Sequence, residues 1–464
     1  MMAAIPVIAI FDIGKTNKKV FLFNEDYKVV YERTARFAEV ADEDGYPCED
    51  LQTLTDWFFA SLQEITSLDK FSIKAINFST YGASFVYIDE SGRALTPLYN
   101  YLKPYPEQLK TKFYADYGGE VTLSGETASP VLGSLNSGMQ LYRLKYERPD
   151  VFKKIKYALH LPQYLSFLVT GEAYTDLTSI GCHTGLWNFK ANDYHHWVKN
   201  EGLVVKFAAV APAHITANVN YHGHNIKAGS GLHDSSAALI PYLVSFHEPF
   251  LLLSTGTWSI SLNPFNHAPL TQDELLNDCL CYLQYKGKPV KASRFLAGLE
   301  HEEQTARIAK HFRSPHNEYK HVRFDVDVLL NLQQNAPLIP AQHNGLKTSV
   351  FPQRDLSVFA NYSEAYHQLM LDLVQRQYES TRLVLKGTAV KKIFVDGGFS
   401  KNSIFMHLLA SAFPDMEIYA ASMAQATAMG TALAIHKSWN RLPLPHNLIT
   451  LQYFSATSEI KICA

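Results

Sequence analysis

Short apolar runs alternate with longer amphipathic ones along most of this chain. Residues 5–11 are almost unbroken in hydrophobic character and stop at Asp12, the mark of a buried strand. Residues 73–78, 392–395 and 417–419 read as further strands, whereas 362–386 and 403–413 have the length and spacing of helices. This alternation predicts an α/β protein. Gly- and Pro-bearing connections between the runs are short, apart from a polar, histidine-rich stretch at 311–321 that reads as a surface loop.

One local design occurs twice. Residues 7–12 form a strand entering Asp12-Ile13-Gly14-Lys15-Thr16-Asn17, with a second strand at 19–23; residues 249–253 enter Ser254-Thr255-Gly256-Thr257-Trp258, with a second strand at 259–262. Both predict β-hairpins whose turns, rich in Gly, Ser and Thr, gather N–H groups and hydroxyls around an anion. The repetition implies two related halves. Two such hairpins would hold a nucleoside triphosphate without a Walker sequence, and neither GxxxxGK[ST] nor GxGxxG after a strand occurs here.

A chain of 464 residues, 47% of them hydrophobic, exceeds what one core usually organises, so two domains are expected. The formal charge of -2 supplies no field for a polyanion, which argues against nucleic acid and anionic membranes as partners and favours a small-molecule ligand. The odd number of cysteines (Cys48, Cys182, Cys279, Cys281 and Cys463) and the absence of CxxC spacing suggest reduced thiols. The apolar N-terminal run is too short to span a bilayer and lacks a basic leader, so a soluble cytoplasmic protein is expected. His222/His224 and His195/His196 are the nearest histidine pairs to a metal motif, but without HxxxH spacing no specific metal-histidine site is expected.

Five segments, in this order, resemble the FGGY family of carbohydrate kinases, within the actin and hexokinase superfamily. They are Asp12-Ile13-Gly14-Lys15-Thr16, Phe78-Ser79-Thr80-Tyr81-Gly82-Ala83, Gly231-Leu232-His233-Asp234-Ser235-Ser236, Ser254-Thr255-Gly256-Thr257-Trp258 and Val395-Asp396-Gly397-Gly398-Phe399-Ser400-Lys401-Asn402. Gln425-Ala426-Thr427-Ala428-Met429-Gly430 follows before a last helix. The resemblance covers nearly the whole chain. It implies two actin-like (ribonuclease H-like) α/β domains with a central cleft, ATP and Mg²⁺ as cofactors, and a small sugar as substrate. Residues 1–244 would bind the sugar and 245–464 the ATP, with sugar-driven closure excluding water. Association into a homodimer is left open.

Asp234 sits where the family carries its general base, and transfer to an alcohol needs a carboxylate that accepts the hydroxyl proton. Taken alone, it is equally a favoured N-cap for a helix from Ser235. The preceding His233 is similar to the rhamnulokinase branch, where the histidine contacts the sugar. Asp12 is the expected Mg²⁺ residue. The resemblance places Gly14, Lys15, Thr16, Asn17, Thr255, Gly256 and Thr257 at the phosphates, with Lys18 or Lys19 in reach of them. It places Gly397, Gly398, Ser400 and Asn402 at the adenosine, so bulky groups at Gly256 or Gly398 would obstruct the nucleotide. Tyr81, Gly82, His233, Asn100 and Lys103 are the sugar-contact candidates.

Three positions depart from the family pattern. Lys15 interrupts the commoner Asp-x-Gly-Thr form, Gln163 stands where relatives often have aspartate, and Glu303 and Gln304 contest a position near the nucleotide. Tyr81-Gly82 with His233-Asp234 is most similar to the rhamnulose and fuculose kinases, leaving rhamnulose, fuculose, xylulose or ribulose types as substrates. The other function classes weighed are a kinase-like sugar or nucleotide binder without turnover and a chaperone-like or actin-like ATPase.

Overall fold

The computed structural model describes residues 4–335, 348–423, 425–460 and 462; Cys463, counted above among the thiols, lies outside them. The chain divides into two compact units. The first takes the described residues of 1–245, 281–289 and 424–448, the second those of 246–280, 290–423 and 449–464. The chain thus changes unit between Ser245 and Phe246, but two segments of the later half return to the first unit. Polar bonds tie them in: Ser236 Oγ donates to the Leu283 carbonyl at 3.0 Å, and Asn77 Nδ2 donates to that of Thr431 at 2.9 Å. Gly430 crosses helix Asp234–Ser245 so closely that a Cβ would stand 1.8 Å from the Ala237 carbonyl oxygen. The motif at 425–430 does not merely precede a helix: left-handed Gln425 stands at its start and Ala426–Gly430 lie within helix Ala426–Ala434.

Each unit is built on a sheet with the same inner order. In the first, Ile5–Ile13 pairs antiparallel with Lys18–Asn24, which pairs with Val29–Ala35. On its other side Ile5–Ile13 pairs parallel with Phe71–Thr80, which pairs parallel with His224–Gly229. In the second, Phe250–Thr255 pairs antiparallel with Ser259–Asn263 and then Pro289–Phe295, and parallel with Lys392–Gly397 and then Glu417–Ser422. The repeated hairpins of the sequence are the first two strands of each sheet. Doubly covered central strands explain why both runs are continuously apolar.

Helix Leu51–Thr66 starts at Asp50, whose carboxylate accepts from the Gln52 and Thr53 amides, and buries Leu54, Phe58, Leu62 and Ile65 at helical spacing. Phe58 meets Phe11 of the central strand edge-on at 4.7 Å. A second core of this unit gathers Phe113, Tyr142 and Trp197, with Phe113 and Trp197 rings 5.0 Å apart at 89°. The second unit packs helix Tyr362–Leu385, capped by Asn361, against Ser403–Ala412 and its sheet. The histidine-rich loop begins later than the sequence suggests, because helix Ala297–Phe312 includes His311 and ends at left-handed Arg313. Among the described residues no helix is long and apolar enough to cross a membrane.

Candidate active site

The apolar run stops at Asp12 because the strand there reaches the end of the sheet. Asp12 is in parallel register with Ser79, whose hydroxyl donates to its Oδ1 at 2.9 Å. The turn that follows is closed by the Gly14 amide donating to the Asn17 carbonyl at 2.9 Å. Thr16 is exposed at its tip, and the Asn17 side chain accepts from Arg36 at 2.6 Å. Lys15 pairs with Glu39 at 2.9 Å. Lys18 turns inward: it is buried, ion-paired with Glu49, and donates to the Lys15 carbonyl at 3.0 Å, so it is not available to a phosphate. Lys19, the cross-strand partner of Asp12, pairs with Glu32 at 3.4 Å.

Leu232 and His233 pair parallel with Ser79 and Thr80, which brings His233 and Asp234 to the sheet end that holds Asp12. Gly82 is where the His233 ring rests: a Cβ there would be 2.8 Å from Cδ2. The imidazole Nε2 lies 3.1 Å from Cys182 Sγ and 3.3 Å from Asp234 Oδ1, and its face stacks on Tyr282 at 5.7 Å. Burial pushes His233 down to about 3, so the ring is neutral at physiological pH.

Asp234 opens its helix but does not cap it in the usual way. Its Oδ1 accepts from the amide of the next residue, Ser235, at 2.5 Å, and no bond to Ser236 or Ala237 N–H is formed. Burial pushes Asp234 up to about 6, opposed by the Ser235 bonds. Asp12 is also pushed up to about 6, by burial and, after the opposing Ser79 bond, by the charge of Asp234. Two carboxylates thus share one poorly compensated place. The Tyr101 hydroxyl feels the same field: burial first, then the charges of Asp234, Glu39 and Glu49, raise it.

Residues that no motif announced hold this pair in place. Gln163 Nε2 donates to the carbonyls of Ser230 (3.2 Å) and Gly231 (3.0 Å), which a carboxylate in its place could not do. Asn77 Oδ1 accepts from the Gly231 amide at 3.1 Å. The His233 amide donates to Thr178 Oγ1 at 2.9 Å, and that hydroxyl donates to buried Asp176. Their partners are distant in sequence, so the only early signal was the departure at Gln163.

In the second unit Thr255 joins the two expected nucleotide loops. Its carbonyl accepts from Gly398 N at 2.8 Å and its Oγ1 accepts from Phe399 N at 3.0 Å. Gly397, at φ 91°, lies so close that a Cβ would be 1.9 Å from the Thr255 carbonyl oxygen, while a Cβ on Gly398 would be 4.0 Å away. Gly256 and Thr257 are exposed on the hairpin. Gly298, in the segment that precedes Glu303 and Gln304, lies so close to Gly256 that a Cβ would meet its carbonyl oxygen at 1.9 Å. Ser400 Oγ donates to the Gly397 carbonyl at 2.8 Å, and Asn402 caps helix Ser403–Ala412 while donating to Tyr366 at 2.7 Å. Gln304 is buried and accepts from Arg307; Glu303 is exposed.

Of the remaining candidates, Tyr81 donates to Glu49 at 2.6 Å. Asn100 donates to Glu39 at 3.4 Å, close to Lys15. Lys103 is buried and held by Asp42 and Asp44, so its charge is already matched. A cavity of about 890 Å³ beside Tyr378, Arg382 and Phe413 contains none of these residues. The fold brings Glu126 to His195 and His196. There the two His195 nitrogens serve as a hydrogen-bond partner to Glu126 at 2.6 Å and as acceptor of the Trp197 amide at 3.3 Å.

The duplicated sheet, with paired carboxylates at one sheet end of the first unit, defines a two-domain α/β carbohydrate kinase of the actin-like class. Residues 7–212 match the N-terminal domain of the FGGY family of carbohydrate kinases and 247–442 match the carbohydrate kinase FGGY C-terminal domain. The chain belongs to the FGGY family of carbohydrate kinases. It is 25% identical over 271 residues to a rhamnulokinase of Mannheimia succiniciproducens, covering 54% of this chain and 52% of that protein. A rhamnulokinase of Oceanobacillus iheyensis is 23% identical over 282 residues, 57% of each. The chain therefore aligns over about half the length of these curated relatives. The fold matches a carbohydrate kinase from Novosphingobium aromaticivorans with a TM-score of 0.80, at 22% identity and covering 98% of this chain and 95% of that one. It also matches a ligand-bound xylulose kinase from Lactobacillus acidophilus with a TM-score of 0.78, at 15% identity and covering 97% and 94%.

Proposed function

We propose that this protein transfers the γ-phosphoryl group of ATP to a hydroxyl of a small ketose, with Asp234 as general base. The observation that carries the reading is the His233-Asp234 pair set at the strand end beside Asp12, with Asp234 raised to about 6. A carboxylate raised that far is a stronger base than an ordinary one and is still mostly ionised at neutral pH. As the sugar oxygen bonds to the γ-phosphorus and the bond to the ADP oxygen breaks, the hydroxyl proton passes to Asp234. Neutral His233, wedged between Gly82, Cys182 and Tyr282, orients the sugar and Asp234.

The first unit supplies the sugar side, and the loops around Thr255, Gly256, Gly397 and Gly398 supply the nucleotide side. Their exposed backbone and close-packed glycines suit a triphosphate and adenosine. Hard carboxylate oxygens on Asp12, raised by burial, fit a divalent cation such as Mg²⁺. Such an ion, when bound, neutralises charge on the phosphates. The rhamnulokinase relatives favour a 6-deoxyketose such as rhamnulose over xylulose or ribulose. ADP release measured across a panel of ketoses, aldoses and polyols tests the reading; failure of every sugar to accelerate it, with ATP bound, would leave the non-catalytic binder.

A further inference from the structure

The short hairpin of Glu39–Ala41 and Pro47–Glu49, to which no role has yet been given, touches most of the sugar-side candidates. Its carboxylates grip three of them and two lysines of the phosphate hairpin: Glu39 takes Asn100 and Lys15, Asp42 takes Lys103, and Glu49 takes Tyr81 and Lys18. Two of these pairs are buried, Lys103 with Asp42 and Lys18 with Glu49, and of the two only Glu49's partner also bonds the phosphate turn. The side chains of Glu49 and Lys18 are 5% and 3% exposed, against 45% and 26% for Glu39 and Lys15.

Burying an ion pair removes both charges from water, and their attraction offsets that cost only with further hydrogen bonds. Here those bonds lead outward in two directions. Lys18 Nζ donates to the Lys15 carbonyl at 3.0 Å, and Glu49 Oε2 accepts from the Tyr81 hydroxyl at 2.6 Å. The result is an unbroken polar chain from the phosphate turn, through Lys18 and Glu49, to the strand end that carries Gly82. Well-packed apolar side chains would fill the same volume at no electrostatic cost, but would leave turn and strand end free to move independently.

We propose that Glu49 is a positioning residue of the transfer, locking the phosphate turn to the sugar-binding strand end so that each site senses the other. The proposal rests on the kinase reading for what the two ends bind. Tyr81→Phe keeps the ring against Tyr101, at 5.9 Å, and the ion pair, while removing the hydroxyl's bond to Glu49. Lys18→Met cuts the other arm and Lys18→Arg retains its charge.

The test is hydrogen exchange of the turn amides at 14–17 in the ligand-free full chain, together with MgADP affinity by calorimetry. In Tyr81→Phe, a change on the sugar side, the turn should exchange about tenfold faster and MgADP should bind about tenfold more weakly, the scale of one lost hydrogen bond to a charged group. Lys18→Met should do the same and Lys18→Arg should recover most of the loss. If Tyr81→Phe lowers only thermal stability, with turn exchange and MgADP affinity unchanged, the coupling is wrong; should Lys18→Met fail to fold, Tyr81→Phe decides alone. Exchange is read without ligand, so it judges the coupling even where no sugar in the panel is turned over, an outcome that counts against the kinase reading instead.

Discussion

The ring of His233 occupies the space that a side chain on Gly82 would fill, with Cδ2 and Nε2 at 2.8 and 2.9 Å from the place of its Cβ. Gly82→Ala should therefore push the imidazole off Asp234. The expected result is a loss of at least about tenfold in kcat/KM for the sugar, as displacement of a group from productive geometry implies. MgADP affinity should be unchanged, because the bonds of Glu49 to Lys18 and Tyr81 stay in place. Steady-state kinetics with calorimetry on the same preparation checks both.

Asp234→Asn removes the proton acceptor while preserving shape. Turnover should fall by at least about a hundredfold, the lower end for a general base. Stability should move the other way at neutral pH, because the variant no longer holds an ionised carboxylate in a partly desolvated place; at 35% exposure, solvent screens part of the gain. A rise in melting temperature together with lost turnover is expected. Wild-type turnover in the folded variant would remove Asp234 from the mechanism.

The pH dependence follows from the same two carboxylates. Asp12 and Asp234 both lie at about 6 in the folded protein, above the ordinary 3.8. Protonation therefore favours the fold: their contribution is complete below 3.8 and is lost as pH rises through about 6. Activity needs the ionised base and runs opposite, so kcat/KM should climb through about pH 6 and level off above it. Since the two groups interact, the midpoint belongs to the pair. A profile flat from pH 5 to about 8 would contradict the assignment.

Gly397 and Gly398 are neighbours with different duties. At Gly397 a Cβ would collide with the Thr255 carbonyl oxygen at 1.9 Å in a left-handed backbone, whereas at Gly398 the nearest atom is 4.0 Å away. Gly397→Ala should destabilise the protein by about 3 kcal/mol or more through steric and backbone strain. Gly398→Ala should cost under about 1 kcal/mol. Thermal denaturation separates them, and a larger residue such as Gly398→Val should lose MgADP binding with little loss of stability.

Much of the first layer of this site was legible in the chain. Asp12, Gly82, His233 and Asp234 stand at the ends of apolar runs, where a strand stops and a polar group can face a ligand. Lys103 and Lys18 were harder to read. A lysine beside a binding segment looks the same in sequence whether it meets a sugar, a phosphate or a buried carboxylate, and here Asp42, Asp44 and Glu49 claim both. Asn402 was likewise placed at the adenosine, and its side chain caps a helix and meets Tyr366.

By itself the sequence determined the alternation of strands and helices, the duplicated hairpin and the order of five motifs, because each depends on residues within a few positions of one another. The tertiary structure decided what is close across the chain. Segments 281–289 and 424–448 return to the first unit, where Tyr282 stacks on His233 and Gly430 packs on Ala237. Glu49 reaches Lys18 and Tyr81 from 31 and 32 residues away. Those contacts arise because buried charges and amides must find partners wherever the fold brings them, and no local pattern of hydrophobic and polar residues records which partner that is.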